Sequence, residues 1–212
     1  GNLAFARQSF VGLQGDFGTV TLGRQYTSYF LTLSQVADPF AAGLAGNAQN
    51  LMLPPGVPAG LPAATDPATL SAEPDRVIRM NNTIKYTSRE FNGFSGEIAY
   101  GFGELSASSN GNRVLTASVG YNVKPLAVRF AYYRKNNRTD TDKMESALLA
   151  ANYDFGVAKV FAAYSHNDWF ISKSRDVLIG ATVPLGPHTF IASYIRKTGR
   201  GVSDGDDANQ FA

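Results

Sequence analysis

Across residues 78–86, Ile78, Met80, Asn82, Ile84 and Tyr86 alternate with Arg79, Asn81, Thr83 and Lys85. The same period of two runs through Leu115, Ala117, Val119, Tyr121 and Val123, through Leu126, Val128, Phe130 and Tyr132, and through Val177, Ile179, Ala181 and Val183. Such alternation puts successive side chains on opposite faces of an extended strand, and a helical period of 3.6 residues fits none of these runs. Fourteen phenylalanines, ten tyrosines and twenty-one glycines suit strands joined by tight turns. The fold class is therefore all-β and antiparallel, with ten strands expected at 5–14, 18–26, 77–89, 94–103, 113–123, 126–136, 143–154, 157–165, 175–183 and 188–198.

Breaks between the runs come in two lengths that take turns along the chain. Short ones fall at Gly15-Asp16, Asn92-Gly93, Lys124-Pro125, Phe155-Gly156 and Gly186-Pro187, and long polar ones near 104–112, 136–142, 166–174 and 199–209. An up-and-down meander with one tight and one wide rim follows. Its strands, roughly ten to twelve residues long, are about twice the usual globular length and match what a tilted strand needs to cross a bilayer.

One segment breaks the rhythm. Residues 27–76 lack strand alternation and hold seven of the ten prolines. Residues 27–75 carry four acids, Asp38, Asp66, Glu73 and Asp75, and no Lys or Arg, so the rest of the chain has 19 basic against 13 acidic residues. An acidic loop inside a basic frame invites contact between the two, and Leu31, Leu33, Val36, Phe40 and Leu44 are side chains that a solvated linker would not favour. The whole chain, 1–212, then reads as a single domain with 27–76 as a long infolded loop.

A strand pattern with one apolar and one polar face fits two architectures, a soluble sandwich and a membrane barrel. Strand length, unequal rims and the aromatics beside tight turns, Tyr86, Phe91, Phe94, Tyr121, Tyr153 and Phe155, favour the barrel. The competing class is a soluble or cell-surface all-β carbohydrate-binding protein. Formal charge of +2 gives no reason to expect a nucleic-acid partner, and the lack of cysteine removes disulfides and thiolate chemistry. His166 and His188 have no ligand pattern around them, no nucleophile-elbow or phosphate-loop motif is present, and neither catalysis, metal nor cofactor is expected.

The runs Arg7-Gln8-Ser9-Phe10-Val11-Gly12-Leu13, Asp16-Phe17-Gly18, Val20-Thr21-Leu22-Gly23-Arg24 and Arg79-Met80-Asn81-Asn82-Thr83-Ile84-Lys85-Tyr86 resemble the trimeric general porins of Gram-negative outer membranes. Phe91-Asn92-Gly93-Phe94 and Tyr100-Gly101-Phe102-Gly103-Glu104 point to the beta-proteobacterial subgroup. The resemblance implies a sixteen-stranded transmembrane barrel whose third external loop narrows the pore, with the strands here corresponding to the fourth through thirteenth and three more expected at each end. It implies passive diffusion of small hydrophilic solutes and ions, a homotrimer, and contact with outer-membrane lipid and lipopolysaccharide.

Charges around a narrow passage sort solutes by sign. Arg79 and Lys85 lie on the polar parity of their strand, whereas Arg24 shares the parity of Val20 and Leu22, so a bulge or kink at Gly23 is expected to re-aim it. The resemblance adds Arg7, Arg24 and Arg79 as members of a basic ladder on the wall. Asp38 leads the opposing acids of the loop, followed by Asp66, Glu73 and Asp75, and three wall cations against one close acid lean the pore toward anions. Arg129 is expected either to extend the basic path or to pair with Glu97 or Glu145, and Arg134, Lys135 and Arg138 read as a solvated rim.

Overall fold

A computed structural model describes residues 7–53, 77–103, 111–137, 140–169, 172–201 and 207–212. Among the described residues, eleven antiparallel strands form one sheet in chain order. The first half comprises β1 (Ser9–Gly15), β2 (Gly18–Tyr26), β3 (Arg79–Thr87), β4 (Phe94–Gly101), β5 (Val114–Val123) and β6 (Leu126–Asn136). Then come β7 (Lys143–Asp154), β8 (Lys159–Trp169), β9 (Ser172–Leu185), β10 (His188–Gly201) and β11 (Ala208–Phe211). Each strand pairs with its sequence neighbours, as the alternating turns require.

The expected count of ten is corrected to eleven. β11 lies in the stretch read as a wide connection, and its four residues pair with Tyr194–Lys197 of β10, a span too short to display a period. His166, also assigned to a wide connection, is an exposed residue of β8, because that strand runs on to Trp169. The Asn92-Gly93 turn behaves as its residues dictate: both take positive φ, 50° and 85°, and Phe91 and Phe94 exchange backbone hydrogen bonds of 2.8 and 2.9 Å across it.

The two faces of the sheet differ in what covers them. On one face Val119, Phe130, Leu149, Tyr164 and Val177 stand in register across five strands, each between 43 and 56% exposed. At ~1.5–3 kcal/mol for each fully buried apolar side chain, this row alone forfeits roughly 5 kcal/mol if water is its solvent. Apolar surroundings remove that cost. Near the tight turns the same face carries ring pairs, Phe94 with Tyr121 at 4.9 Å and Tyr153 with Phe155 at 4.6 Å between centroids.

The other face is covered by the chain itself. After β2 come α1 (Ser28–Thr32), a π-helical turn (Leu33–Ala37) and α2 (Gln49–Met52), and these lie over β4 to β8 and β10. Tyr29, Leu33, Ala37 and Met52 are wholly buried in one cluster with Tyr133, Leu148, Ala150, Leu178 and Ile195 of the sheet. The core of the protein is therefore the contact between this loop and the wall.

Candidate functional site on the loop-covered face

Thr27 starts the loop. Its hydroxyl oxygen accepts from Phe30 N at 3.0 Å as the N-cap of α1, and its own amide donates to Ile78 O at 3.0 Å, which closes the base of the loop. From there the wall fastens the loop by side chains that donate to it: Arg129 to Gln35 Oε1 at 3.1 Å, Asn152 to Val36 O at 2.9 Å, Lys197 to Leu51 O at 2.9 Å and Gln210 to Gly46 O at 2.7 Å. In the reverse direction Ser28 donates to Glu97 Oε1 at 2.5 Å. Tyr29 donates to Met52 O at 3.0 Å, and burial pushes its phenol well above the ordinary value.

The expectation that Asp38 faces the basic wall is not met. Its side chain is buried, with Oδ1 accepting from Phe40 N at 3.0 Å and Oδ2 from Ala42 N at 2.8 Å and Ala48 N at 3.1 Å. A carboxylate satisfied by three amides of its own loop folds that loop. Asp66, Glu73, Asp75 and Arg138 lie outside the described residues.

The basic residues divide. Arg7 is exposed two residues before β1. A register shift does interrupt the β2–β3 pairing beside Gly23, whose φ is +134°, but the extra residue is on β3: Gly23 faces Thr83, Gln25 faces Met80, and Asn81 and Asn82 both stand opposite Arg24. Arg24 donates to Asn81 Oδ1 there. The shift also reverses the phase of β3, so Met80 joins the buried cluster with the parity of Lys85, while Arg79 pairs across to Tyr26 and lies 5.6 Å from its ring centroid. Arg79 and Lys85, expected on one parity, are thus on opposite ones. Lys85 is buried, donating to Tyr26 O at 2.8 Å and standing 3.2 Å from Glu97.

Sequence reasoning placed Arg129 correctly on this face; of its two expected partners, Glu97 acts on it through space while bonded to Lys85, and Glu145 points to the other face beside Tyr132. Lys135 is corrected from solvated rim to buried, its alternation placing it with Val114 and Met144 beneath the loop. Four charged residues of this face were missed, Asp154, Lys159, Asp176 and Lys197. Asp176 and Lys197 are direct cross-strand partners, and Asp176 Oδ2 accepts from Ser165 and Asn167, both at 2.8 Å. Their parity with Leu178 and Ile195 was the available signal, hidden because those apolar neighbours suggest the wrong face.

A single antiparallel sheet, apolar outside and lined inside by a loop fastened through charged and polar side chains, defines the wall of a transmembrane pore-forming barrel. The chain belongs to the Gram-negative porin family, whose profile matches residues 1–212. It is 27% identical over 208 residues to outer membrane porin protein 32 of Delftia acidovorans, covering 86% of this chain and 51% of that protein. Among solved structures it is similar to the anion-selective porin from Comamonas acidovorans, with a TM-score of 0.76, 24% identity, and coverage of 97% of this chain and 60% of the other. OmpT of Vibrio cholerae shares the fold at a TM-score of 0.63 and 14% identity, covering 97% of this chain and 62% of the other. The chain spans about half the length of the Delftia relative. These findings place the protein in the outer membrane and bear out the beta-proteobacterial resemblance; the carbohydrate-binding sandwich gives way to them.

Proposed function

We propose that the protein containing this chain is a passive diffusion channel for small hydrophilic solutes and ions, with residues 1–212 forming part of one barrel domain and 27–76 its constriction loop. The observation that carries the reading is the pairing of an exposed apolar face with an opposite face overlaid by the loop. In this reading Arg24 and Arg79, beside the base of the loop, and Arg7 supply the basic side of the constriction, Asp66, Glu73 and Asp75 the acidic side, Lys85, buried against Glu97, holds the base of the loop through Tyr26 O, and Asp38 shapes the loop. An excess of cations favours anions. That preference is in keeping with the name of the Comamonas porin, described as anion-selective.

Three copies form the functional unit in this reading, as the OmpT trimer form does for its own chain, and lipid and lipopolysaccharide contact the outer apolar face and the wide rim. Reversal potential in a salt gradient tests the constriction. The Arg24→Ala, Arg79→Ala double variant shifts it toward cation preference; an unchanged value rejects these residues.

A further inference from the structure

Beyond the constriction residues, the loop-covered face holds a second group of cations. Gln35 of the loop, Ser95 of β4, Asn122 of β5, Arg129 of β6, Asn152 of β7 and Lys159 of β8 line one cavity of about 220 Å³. All the strand residues among them lie near the tight turns, whereas Arg24 and Arg79 flank the loop at the other ends of β2 and β3. The cavity is therefore on the tight-turn side of the loop.

Arg129 meets a neutral acceptor, Gln35 Oε1, at 3.1 Å, and Lys159 stands 5.1 Å from the centroid of the Phe161 ring. Neither is within ion-pair distance of a carboxylate among the described residues. The nearest acids stand at the edge of the cavity and hold other partners at hydrogen-bond distance: Glu97, which acts on Arg129 through space, is bonded to Lys85 and Ser28, and Asp154, opposite Lys159 across the strands, accepts from Gly156 N at 2.8 Å and keeps its charge. Two positive groups, a serine hydroxyl and three carboxamides lining one cavity form a charge-and-donor set suited to oxyanions.

We propose that this cavity is an anion station separate from the constriction, which takes up a small carboxylate or phosphate on the tight-turn side of the loop. The inference rests on the channel reading above. Gln35 positions the Arg129 fork without neutralising it, and the face of Phe161 holds the Lys159 ammonium at the cavity wall. Each cation removed weakens the bound anion about fivefold, the factor for a unit charge at ~4 Å in bulk-like water, and removal of both weakens it about 25-fold.

The test is single-channel recording of the whole channel in planar bilayers, with succinate, inorganic phosphate or uncharged 1,4-butanediol added to a potassium chloride bath. Succinate or phosphate interrupts the current at a concentration that gives an apparent Kd, and the diol does not. Block by only one of the two identifies the station as one for carboxylates or for phosphates. Arg129→Gln and Lys159→Gln each raise the Kd about fivefold, and Lys159→Arg restores it. Lys159→Gln, which breaks no hydrogen bond to the loop, carries the test alone if Arg129→Gln does not insert. Block by neither anion, equal block by the diol, or a Kd indifferent to both substitutions overturns the station. If the unaltered protein carries no current, the channel reading fails with it. If current flows and Arg24→Ala, Arg79→Ala shifts the reversal potential while Arg129→Gln, Lys159→Gln leaves block untouched, only the station falls.

Discussion

Replacing Asp38 tests how the loop holds its shape. Ala41, Ala42 and Leu44 all take left-handed backbone conformations, with φ of 51°, 61° and 56°, and each such non-glycine residue costs about 1 kcal/mol or more. The Asp38 carboxylate offsets this strain by accepting from the amides of Phe40, Ala42 and Ala48. Hydrogen bonds to a charged group contribute ~1.5–3 kcal/mol each, and a buried amide left without an acceptor costs ~1–3 kcal/mol. Asp38→Ala removes three such bonds, two of them from amides that are not fully buried, so a local loss of ~3–6 kcal/mol is expected. Asp38→Asn keeps one acceptor oxygen but turns a carboxamide NH2 toward amide donors, and loses about half as much. Both losses fall within 38–48, so the barrel stays folded while the loop opens about 100-fold to 25,000-fold more often in Asp38→Ala and about 10-fold to 150-fold more often in Asp38→Asn. Amide hydrogen exchange in detergent reads this directly: Ala42 and Ala48 speed up by those factors, while Leu149 in the middle of β7 does not change. Unaltered exchange at Ala42 and Ala48 in Asp38→Ala would refute the assignment.

Gly23→Ala places a Cβ 2.2 Å from Ser9 O and 2.8 Å from the Phe10 Cα at a φ of +134°, so a loss of at least ~2 kcal/mol is expected in the urea midpoint of refolded protein; an unchanged midpoint shows that β1 and β2 do not approach as described. Leu149→Arg puts a charge in the middle of the apolar row and should cost ~2–4 kcal/mol in lipid vesicles, and an effect below ~0.5 kcal/mol would mean that this face does not meet hydrocarbon. Burial raises the Tyr29 phenol above its ordinary 10.0. The folded state therefore keeps a proton that the unfolded chain gives up, and stability falls as pH rises past the ordinary value. Tyr29→Phe should flatten part of that alkaline decline in pH-dependent unfolding, at the expense of the hydrogen bond to Met52 O; an identical slope would contradict the burial of this hydroxyl.

Strand order and the two rims were legible because each depends on a local signal: alternation over ten residues, or an Asn-Gly pair that adopts positive φ without help. The failures come where a strand is too short or its period slips. β11 has only four residues, and β3 gains one residue at Asn81–Asn82 that no residue type announces. Gly23 marked the right place, yet the irregularity it accommodates is in the partner strand. A parity argument carried across such a point reverses, and that is why Arg79 and Lys85 part company.

The site was harder to read for a related reason. An inner wall bathed in water would be polar throughout, but here its centre is covered by the loop, so Leu148, Leu178 and Ile195 face inward just as Leu149, Val177 and Ile179 face outward. Apolar residues on both parities hide Lys159, Asp176 and Lys197 among them. The same packing limits what the loop can do. Lifting its described part off the wall exposes Tyr29, Leu33 and Met52, all wholly buried, at ~1.5–3 kcal/mol each, and breaks the bonds from Arg129, Asn152, Lys197 and Gln210 as well. Those costs together exceed what a solute held only by a few exposed charges can supply in passing. Residues 27–53 thus behave as a fixed part of the wall, and in the proposed channel any sieving they impose is static.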